Sequence, residues 1–407
     1  MRSLFTFLMI VLPLSMVYSQ EIKKDSIPTN DLRLAALPYY SYGKGLGITS
    51  ADSLFQLNIR FRMQNRVTYF ENEGEDAAYS GEIRRLRLRF DGYVGNPMFS
   101  YVIQLSFAPG DVGEIEEGEN VNIIRDAAVF YRPNKHWNFL FGQTKLPGNR
   151  QRINSSGALQ LTDRSINNAR FNIDRDFGFQ AYYLNEDLNA FSYNVKTAIS
   201  TGEGRNWTKS ADDGVALTAK LELMPLGAFE REGTNFEGDL VREKKPKLLL
   251  SGAFHQNNWA RREQGQLGQD LFEQRTMKSV FLDALFKYQG WSFMSTYMSR
   301  SAENPITFNP ENLSESNFVY IGDGMDYQLS YIFRTNYEVI GRFSTQKVHK
   351  DIQALTPDTK QFTLGVTKYL WEHAFKIQAE VTYSQLDFFT GNTADNWYAR
   401  VQLEFGI

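Results

Sequence analysis

The sequence predicts an all-β chain that closes into a transmembrane antiparallel β-barrel of about 16 strands, with short periplasmic turns and long external loops. Three observations predict it. Apolar and polar residues alternate along many short segments, short and long connections alternate between those segments, and 31 Phe and 21 Tyr occur among 407 residues. Because a strand sends successive side chains to opposite faces, alternation builds a wall with one apolar and one wet face. Membrane barrels combine this alternation with aromatic girdles at both interfaces.

Sixteen segments after residue 50 carry the strand pattern, and an even number lets the sheet close without an edge that would expose unpaired backbone to lipid. The predicted strands are 54–70, 83–95, 98–108, 122–132, 136–144, 176–184, 189–200, 214–224, 247–256, 277–288, 291–300, 320–333, 336–346, 360–371, 374–386 and 396–405. One connection breaks the alternation of lengths, since 225–246 occupies a short-turn position but has about 20 residues. A barrel of this size encloses an aqueous channel, so the apolar faces are expected to point outward.

The N-terminus has the pattern of a secretory signal. Arg2 precedes an apolar run from Leu4 to Val17, and Ser19 offers a small residue at the cleavage site. That run is shorter than the ~20 residues that a membrane-spanning helix needs. We therefore predict a signal peptide at 1–19, an N-terminal lead-in at 20–50 and the barrel at 51–407.

Composition excludes some classes of protein and leaves others open. The chain has no cysteine, so its stability cannot depend on disulfides, and its net charge of −3 argues against a nucleic-acid partner. Its mean hydropathy of −0.42 suits a soluble protein and a membrane barrel equally, because every second strand residue of a barrel faces water.

Arginines alternate with apolar residues on the first two predicted strands. Same-face neighbours on a strand are about 6.6 Å apart, and the planar guanidinium fork suits phosphate and carboxylate groups. We expect these arginines to line the lumen and attract anions: Arg60, Arg62, Arg66, Arg85, Arg87 and Arg89. In the alternative, they pair with wall acids such as Asp91, Asp126 or Glu338 and only brace the barrel.

Several segments resemble the phosphate-selective porin O and P family of Gram-negative outer membranes. They are Ile83–Leu88 (IRRLRL), Arg125–Tyr131 (RDAAVFY), Leu140–Pro147 (LFGQTKLP), Arg175–Gly178 (RDFG) and the region of Trp259 and Ala260. The resemblance extends from about residue 45 over nearly all of the remaining chain. It implies a 16-stranded, homotrimeric barrel in the cell outer membrane that passes anions by diffusion.

The long connection 145–175 contains further cations: Lys145, Arg150, Arg152, Arg164 and Arg170. The resemblance implies that this loop folds inward and narrows the pore, where dispersed cations allow ions both to bind and to leave. The alternative is a solvated surface loop. Lys145, Arg150 and Arg152 join the six wall arginines as candidate anion-binding residues.

Other features predict no chemistry. The acidic stretch 111–119 does not have the spacing of an EF-hand, so we expect a solvated external loop and no metal site. The four histidines, at positions 136, 255, 349 and 373, are scattered and belong to no catalytic motif. We therefore expect no enzymatic activity and no cofactor.

The sequence thus favours a porin for small anions, with phosphate and polyphosphate among the candidates, in contact with outer-membrane lipid and lipopolysaccharide. An exported soluble β-sandwich, either a glycan-binding protein or an enzyme, is the competing hypothesis. It would turn the apolar faces inward and leave the alternation of loop lengths unexplained. An energised receptor or an outer-membrane enzyme would require a plug domain or a catalytic constellation that the sequence does not show.

Overall fold

The computed structural model describes residues 45–112, 122–206 and 214–407. The predicted signal peptide and most of the lead-in lie outside the described residues. The strands are β1 Leu46–Thr49, β2 Phe55–Asn72, β3 Ala78–Val94, β4 Asn96–Ser106, β5 Ile124–Tyr131, β6 Trp137–Lys145, β7 Arg175–Asn185, β8 Ser192–Ser200, β9 Ala216–Met224, β10 Lys247–Arg262, β11 Asp270–Tyr288, β12 Trp291–Ala302, β13 Ile306–Phe308, β14 Ser316–Phe318, β15 Gly322–Ile332, β16 Tyr337–Val348, β17 Asp358–Trp371, β18 Phe375–Asp387 and β19 Thr393–Gly406. The α-helices are α1 Pro109–Val112, α2 Arg150–Ile153 and α3 Ile166–Phe171.

Sixteen of these strands form one closed antiparallel barrel. It runs from β2 to β12 and from β15 to β19, and β19 returns to pair with β2 from Asn396↔Asn72 to Gly406↔Arg62. Strands β13 and β14 form a separate hairpin in a long connection. Strand β1, which lies inside the predicted lead-in, pairs with the first part of β2, which β19 does not reach. The predicted fold class and strand number are confirmed.

The apolar faces of the strands point outward. On β9, the side chains of Leu217 and Leu221 are 46% and 45% exposed, whereas Thr218 and Lys220 between them are 4% and 3% exposed. The same alternation recurs around the barrel, which gives lipid the apolar face and the lumen the polar one. The soluble β-sandwich hypothesis, which needs inward apolar faces, is wrong.

Helices are few and short among the described residues, and none is long and apolar enough to cross a membrane. The connections alternate between tight turns, such as Gly95 between β3 and β4, and long segments at the opposite end of the barrel. We call the two ends of the barrel the short-turn end and the long-loop end.

Two connections enter the lumen instead of covering its rim. Loop 145–175 carries α2, a 3₁₀ turn at Ser156–Ala158 and α3, and most of its side chains are buried. The segment 225–246, which we call the insert, carries a 3₁₀ turn at Glu230–Asn235 and enters from the short-turn end. The inward fold of loop 145–175 agrees with the expectation from the family resemblance, and the solvated-surface alternative is wrong.

Candidate functional site

The two arginine-bearing strands are neighbours in register. Arg60 lies opposite Arg89, Arg62 lies opposite Arg87, and Gln64 lies opposite Arg85 across the β2–β3 ladder. Like charges directly opposite one another destabilise a sheet, so this arrangement needs compensating acids. The structure therefore places all six predicted wall arginines, including Arg66, on one inner wall. Arg66, Arg85 and Arg89 are buried there.

A β-bulge adds an arginine that alternation alone does not place. The register shifts between Gln64 and Asn65, whose partners are Arg85 and Ile83, so Arg84 is the extra residue of β3. Arg84 and Arg85 consequently both reach the Asp163 carboxylate, at 2.8 and 3.3 Å. Arg66 of β2 contacts the same carboxylate at 3.3 Å.

The wall arginines belong to a larger set that we call the arginine cluster, joined to acids by ion pairs of 2.6–3.7 Å. Its members are Arg60, Arg62, Arg66, Arg84, Arg85, Arg87, Arg89, Arg125, Arg152 and Arg175. Their acidic partners are Glu82, Asp91, Asp111, Asp126, Asp163, Asp174 and Glu404. In this part of the described lumen, ten guanidinium groups therefore share seven carboxylates.

The wall acids expected to brace the arginines do so unequally. Asp91 binds Arg60 at 3.0 Å and Arg89 at 2.9 Å, and Asp126 binds Arg175 at 2.8 Å. Glu338 does not belong to this network. It lies on β16 and accepts hydrogen bonds from the Gln160 amide and the Tyr369 hydroxyl, at 2.5 and 2.6 Å. Bracing is thus real, but it accounts for only part of the positive charge.

Asp111 corrects the expectation of a solvated acidic loop. It lies in α1 and binds Arg87 at 2.8 Å and Arg125 at 2.9 Å, with its side chain only 10% exposed. Burial alone would raise the pKa of Asp111, but Arg87 and Arg125 outweigh that effect and hold the pKa well below its usual value. Residues 113–119 of that stretch lie outside the described residues.

Loop 145–175 contacts the arginine wall through two serines. The Ser156 hydroxyl accepts hydrogen bonds from Arg62 Nη2 at 2.7 Å and from Arg87 Nη1 at 3.0 Å. Arg62 Nη1 also donates to the Ser155 hydroxyl at 3.2 Å. The loop therefore positions guanidinium groups whose net charge the acids do not cancel.

The three predicted cations of the loop have different surroundings. Lys145 Nζ donates to the carbonyls of Ile153 and Asn154, at 2.7 and 3.0 Å, and Arg152 binds Asp174 at 2.6 Å. Arg150 lies apart from the arginine cluster, because its backbone N–H donates to Asp283 of β11. Lys145 and Arg152 thus join the predicted site, and Arg150 does not.

The loop is fastened by buried hydrogen bonds to β18, which is six strands away from β6 around the barrel. Lys376 Nζ on β18 donates to the carbonyls of Gly157 and Leu159, at 2.9 and 2.6 Å. Glu380, also on β18, accepts from the Thr162 hydroxyl at 2.7 Å. The loop therefore crosses the barrel and divides its lumen.

An open polar pocket lies between the loop and the arginine wall at the short-turn end, next to the chain end at Gly406 and Ile407. Its lining includes Arg60, Arg62, Arg87, Arg89, Lys145 and Arg175. Gln104 of β4 also faces this pocket. The arrangement can attract an anion and offer it guanidinium donors in place of water.

Sequence reasoning missed several functional residues in this network. Arg125 and Arg175 stood in segments quoted for the resemblance but were not proposed as site residues, because alternation does not place them: both share the parity of outward-facing residues of their strands, and Arg125 is the extra residue of a β-bulge in β5. Asp163 and Asp174 lie in a loop without periodicity, so the sequence carried no signal for them. The described residues contain no group of three or more histidine, cysteine or acidic side chains that could hold a metal ion.

Comparison with known families finds one match. The model of the phosphate-selective porin O and P family matches residues 55–225, which carry β2 to β9 and the arginine cluster except for Glu404. Through this segment, which is less than half of the chain, the chain is similar to the porin O and P family. No curated protein sequence matches the chain.

Solved porin structures share the fold at low sequence identity. The outer membrane channel DcaP of Acinetobacter baumannii has a TM-score of 0.54 at 13% identity, over 89% of this chain and 99% of that chain. OmpF of Salmonella typhi, in a complex with daunomycin, gives 0.53 at 14% identity, over 88% and 100%. The anion-selective porin from Comamonas acidovorans gives 0.52 at 11% identity, over 86% and 100%. Together these likenesses show that the chain has the fold of outer-membrane porins.

Proposed function

We propose that this porin passes small anions by passive diffusion and selects them with the arginine cluster. The observation that carries the proposal is the sharing of seven carboxylates by ten arginines beside an open pocket. A lumen bounded by protein and lipid of low dielectric focuses the field of such a cluster and raises the local concentration of anions.

Passage requires weak, repeated binding. An anion that enters from the long-loop end first meets Arg66, Arg84 and Arg85, which Asp163 holds together. It then passes Ser156, where Arg62 and Arg87 meet, and reaches the short-turn pocket. Each guanidinium already has protein partners, so an incoming anion competes with them and binds loosely, which permits release.

Phosphate and polyphosphate are the finer candidates for the permeating anion. Guanidinium forks match the geometry of phosphate oxygens, and the family description names phosphate selectivity. The similar fold of an anion-selective porin supports the sign of the selectivity. We further propose that the protein is a channel and not an enzyme, and that it is exported with a cleaved signal peptide. It would assemble as a homotrimer in contact with outer-membrane lipid and lipopolysaccharide.

Reversal-potential measurements in a planar bilayer test the proposal. The mature protein is reconstituted, a KCl gradient is imposed, and phosphate is then titrated into both chambers. We expect an anion-selective potential and a chloride current that falls as phosphate is added. A cation-selective potential would contradict the proposal. An anion-selective potential without block by phosphate would leave a general anion pore and reject phosphate preference.

A further inference from the structure

The insert 225–246 is the connection whose length broke the pattern in the sequence, and it occupies the half of the lumen opposite the arginine cluster. Lys287 Nζ on β11 donates to three of its carbonyls, those of Gly233, Phe236 and Gly238, at 2.8, 2.9 and 2.6 Å. The same ammonium lies 3.9 Å from the centre of the Phe236 ring, which is fully buried. One lysine therefore satisfies three turn carbonyls and holds an aromatic side chain inside the barrel.

Further contacts extend this attachment to neighbouring strands. Ser292 Oγ on β12 donates to the carbonyl of Glu237 at 2.6 Å, and Gln328 Nε2 on β15 donates to its carboxylate at 3.2 Å. Asp239 accepts a hydrogen bond of 2.7 Å from the backbone N–H of Gly290, in the turn between β11 and β12. The insert is thus bonded to three wall strands in succession and is not a loose rim.

The insert also meets loop 145–175. The Glu237 carboxylate accepts hydrogen bonds from the Gln151 side chain at 3.2 Å and from the Gln160 backbone N–H at 3.1 Å. Gln160 in turn donates to Ser330 on β15 and to Glu338 on β16, both at 2.5 Å. Loop and insert are therefore joined to each other and to the wall from β11 to β16.

We propose that the insert is a second constriction element, which seals this half of the lumen together with loop 145–175 and directs all traffic past the arginine cluster. The proposal deepens the proposed function, because it names what prevents ions from bypassing the arginines. The path then follows the wall of β2 to β7 and β19, where the open pocket lies. Selectivity would arise from placing this path beside the charges.

The absence of cysteine from the sequence allows a direct test, because an introduced thiol is unique in the chain. Gln104→Cys puts a thiol in the pocket on the arginine side, and Ser292→Cys puts one on the lumen face of β12 behind the insert. The two variants are reconstituted separately and treated with an anionic and a cationic methanethiosulfonate reagent, so that reagent charge does not decide the outcome. The current is recorded throughout.

We expect both reagents to reduce the current through the Gln104→Cys channel. The thiol at position 292 should react at least about tenfold more slowly, because it becomes accessible only when the hydrogen-bonded insert opens. Equal reaction rates at the two positions, or block at 292 without block at 104, would overturn the proposal. Neither result depends on the sign of the reversal potential, so failure of this proposal and failure of anion selectivity are distinguishable.

A second variant removes the seal. Residues 227–246 are replaced by Asn-Gly, a two-residue sequence suited to a tight β-hairpin turn that continues the β9–β10 register, in the Ser292→Cys chain. Conductance should rise by about twofold if the two halves of the lumen are similar in section, and the thiol should now react quickly. Unchanged conductance and reactivity in the folded barrel would contradict the proposal. If this variant does not fold, the reaction rates of the thiols at positions 104 and 292 in the full chain still decide whether the insert seals this half of the lumen.

Discussion

Arg62 on β2 and Arg87 on β3 lie directly opposite each other, and both donate a hydrogen bond to the hydroxyl of Ser156. Two like charges are thus held between the barrel wall and loop 145–175 by a neutral acceptor, and each also pairs with an acid, Arg62 with Glu404 and Arg87 with Asp111. A neutral acceptor orients guanidinium groups without cancelling their charge. This pair is therefore the most informative place to test selectivity.

Replacing Arg87 by Gln should weaken anion selectivity while the barrel remains folded, because Asp111 keeps its contacts with Arg125 and Ser106. A unit charge about 5 Å from an ion in water is worth about 0.8 kcal/mol, or about a factor of four for each ion. Because the anion and the cation shift in opposite directions, the anion-to-cation permeability ratio should change by about 16-fold. The reversal potential in a KCl gradient measures that ratio. Arg334→Gln, at an exposed turn, removes the same charge away from the lumen and should change little. An equal effect of both substitutions would point to overall charge and not to the cluster.

Replacing Asp163 by Asn should strengthen anion selectivity, because Arg66, Arg84 and Arg85 all lose their shared carboxylate. Burial raises the pKa of Asp163, but Arg85, Arg84 and Arg66 outweigh it and keep the pKa well below its usual value. The wild-type carboxylate is thus charged at neutral pH, and its loss should also lower the unfolding temperature.

Glu82→Gln is the control for the Asp163 substitution. Glu82 contacts only Arg66 among these three arginines and its side chain is 47% exposed, so its removal should have a smaller effect on both measurements. Stronger cation selectivity in Asp163→Asn would mean that the acid does not restrain the arginines electrostatically.

The stability of the insert should depend on pH through Glu232. Burial raises the pKa of Glu232 to about 7, against a smaller lowering by the hydrogen bond from Asn235. A carboxyl group with a raised pKa binds more protons in the folded state, so its contribution to stability is lost as pH rises through 7. We expect a single protease of broad specificity to cleave the insert faster at pH 8.5 than at pH 5, when each rate is divided by its rate on the Glu232→Gln variant at the same pH. Dividing the wild-type cleavage rate by the variant's rate at each pH removes the pH dependence of the protease itself.

The control for Glu232 is its neighbour in the same turn. Glu230→Gln removes an identical charge from the insert but should leave the pH dependence of cleavage intact. The expected difference in opening free energy between pH 5 and pH 8.5 is on the order of 1–3 kcal/mol, since one pKa unit corresponds to about 1.4 kcal/mol. A profile that stays the same in Glu232→Gln would exclude this carboxyl group as its origin.

Gly157 sets the space available to Arg62. A methyl group added at Gly157 would overlap the Arg62 guanidinium and approach Glu404 Oε1 at 2.9 Å, so Gly157→Ala should displace Arg62 toward the pocket and lower single-channel conductance. The displaced atoms end a flexible side chain, so we expect the barrel to fold normally. Gly341→Ala is the matched control, since nothing lies within 4 Å of the added methyl group. Identical conductance of the two variants would show that Arg62 does not limit flow.

The barrel itself was predictable because alternation is a local property of each strand. The parity of Arg85, Arg87 and Arg89 gave their inward direction, and the structure keeps it. Arg84 could not be placed in this way, since a bulge changes parity without any mark in the residue pattern. The partners of the arginines come from distant loops, as Asp163 illustrates, and no periodicity links them to the wall. In the sequence, the insert differed from the other short-turn connections only by its length. Its position in the lumen follows from contacts such as those of Lys287.

The unequal sharing of carboxylates within the arginine cluster has a consequence for the solution inside the pore. Ten guanidinium groups share seven carboxylates, and Lys376 also binds Glu404 at 3.4 Å, so the acids of the cluster do not balance its cations and mobile anions must complete the neutralisation. The lumen then behaves as a small ion exchanger in Donnan equilibrium with its surroundings, holding resident counter-ions even in dilute medium. As the bathing salt is diluted, conductance should accordingly level off and not fall in proportion to the salt concentration. In nutrient-poor water, the pore would thus stay conducting, because it retains a high local concentration of the anions that it admits.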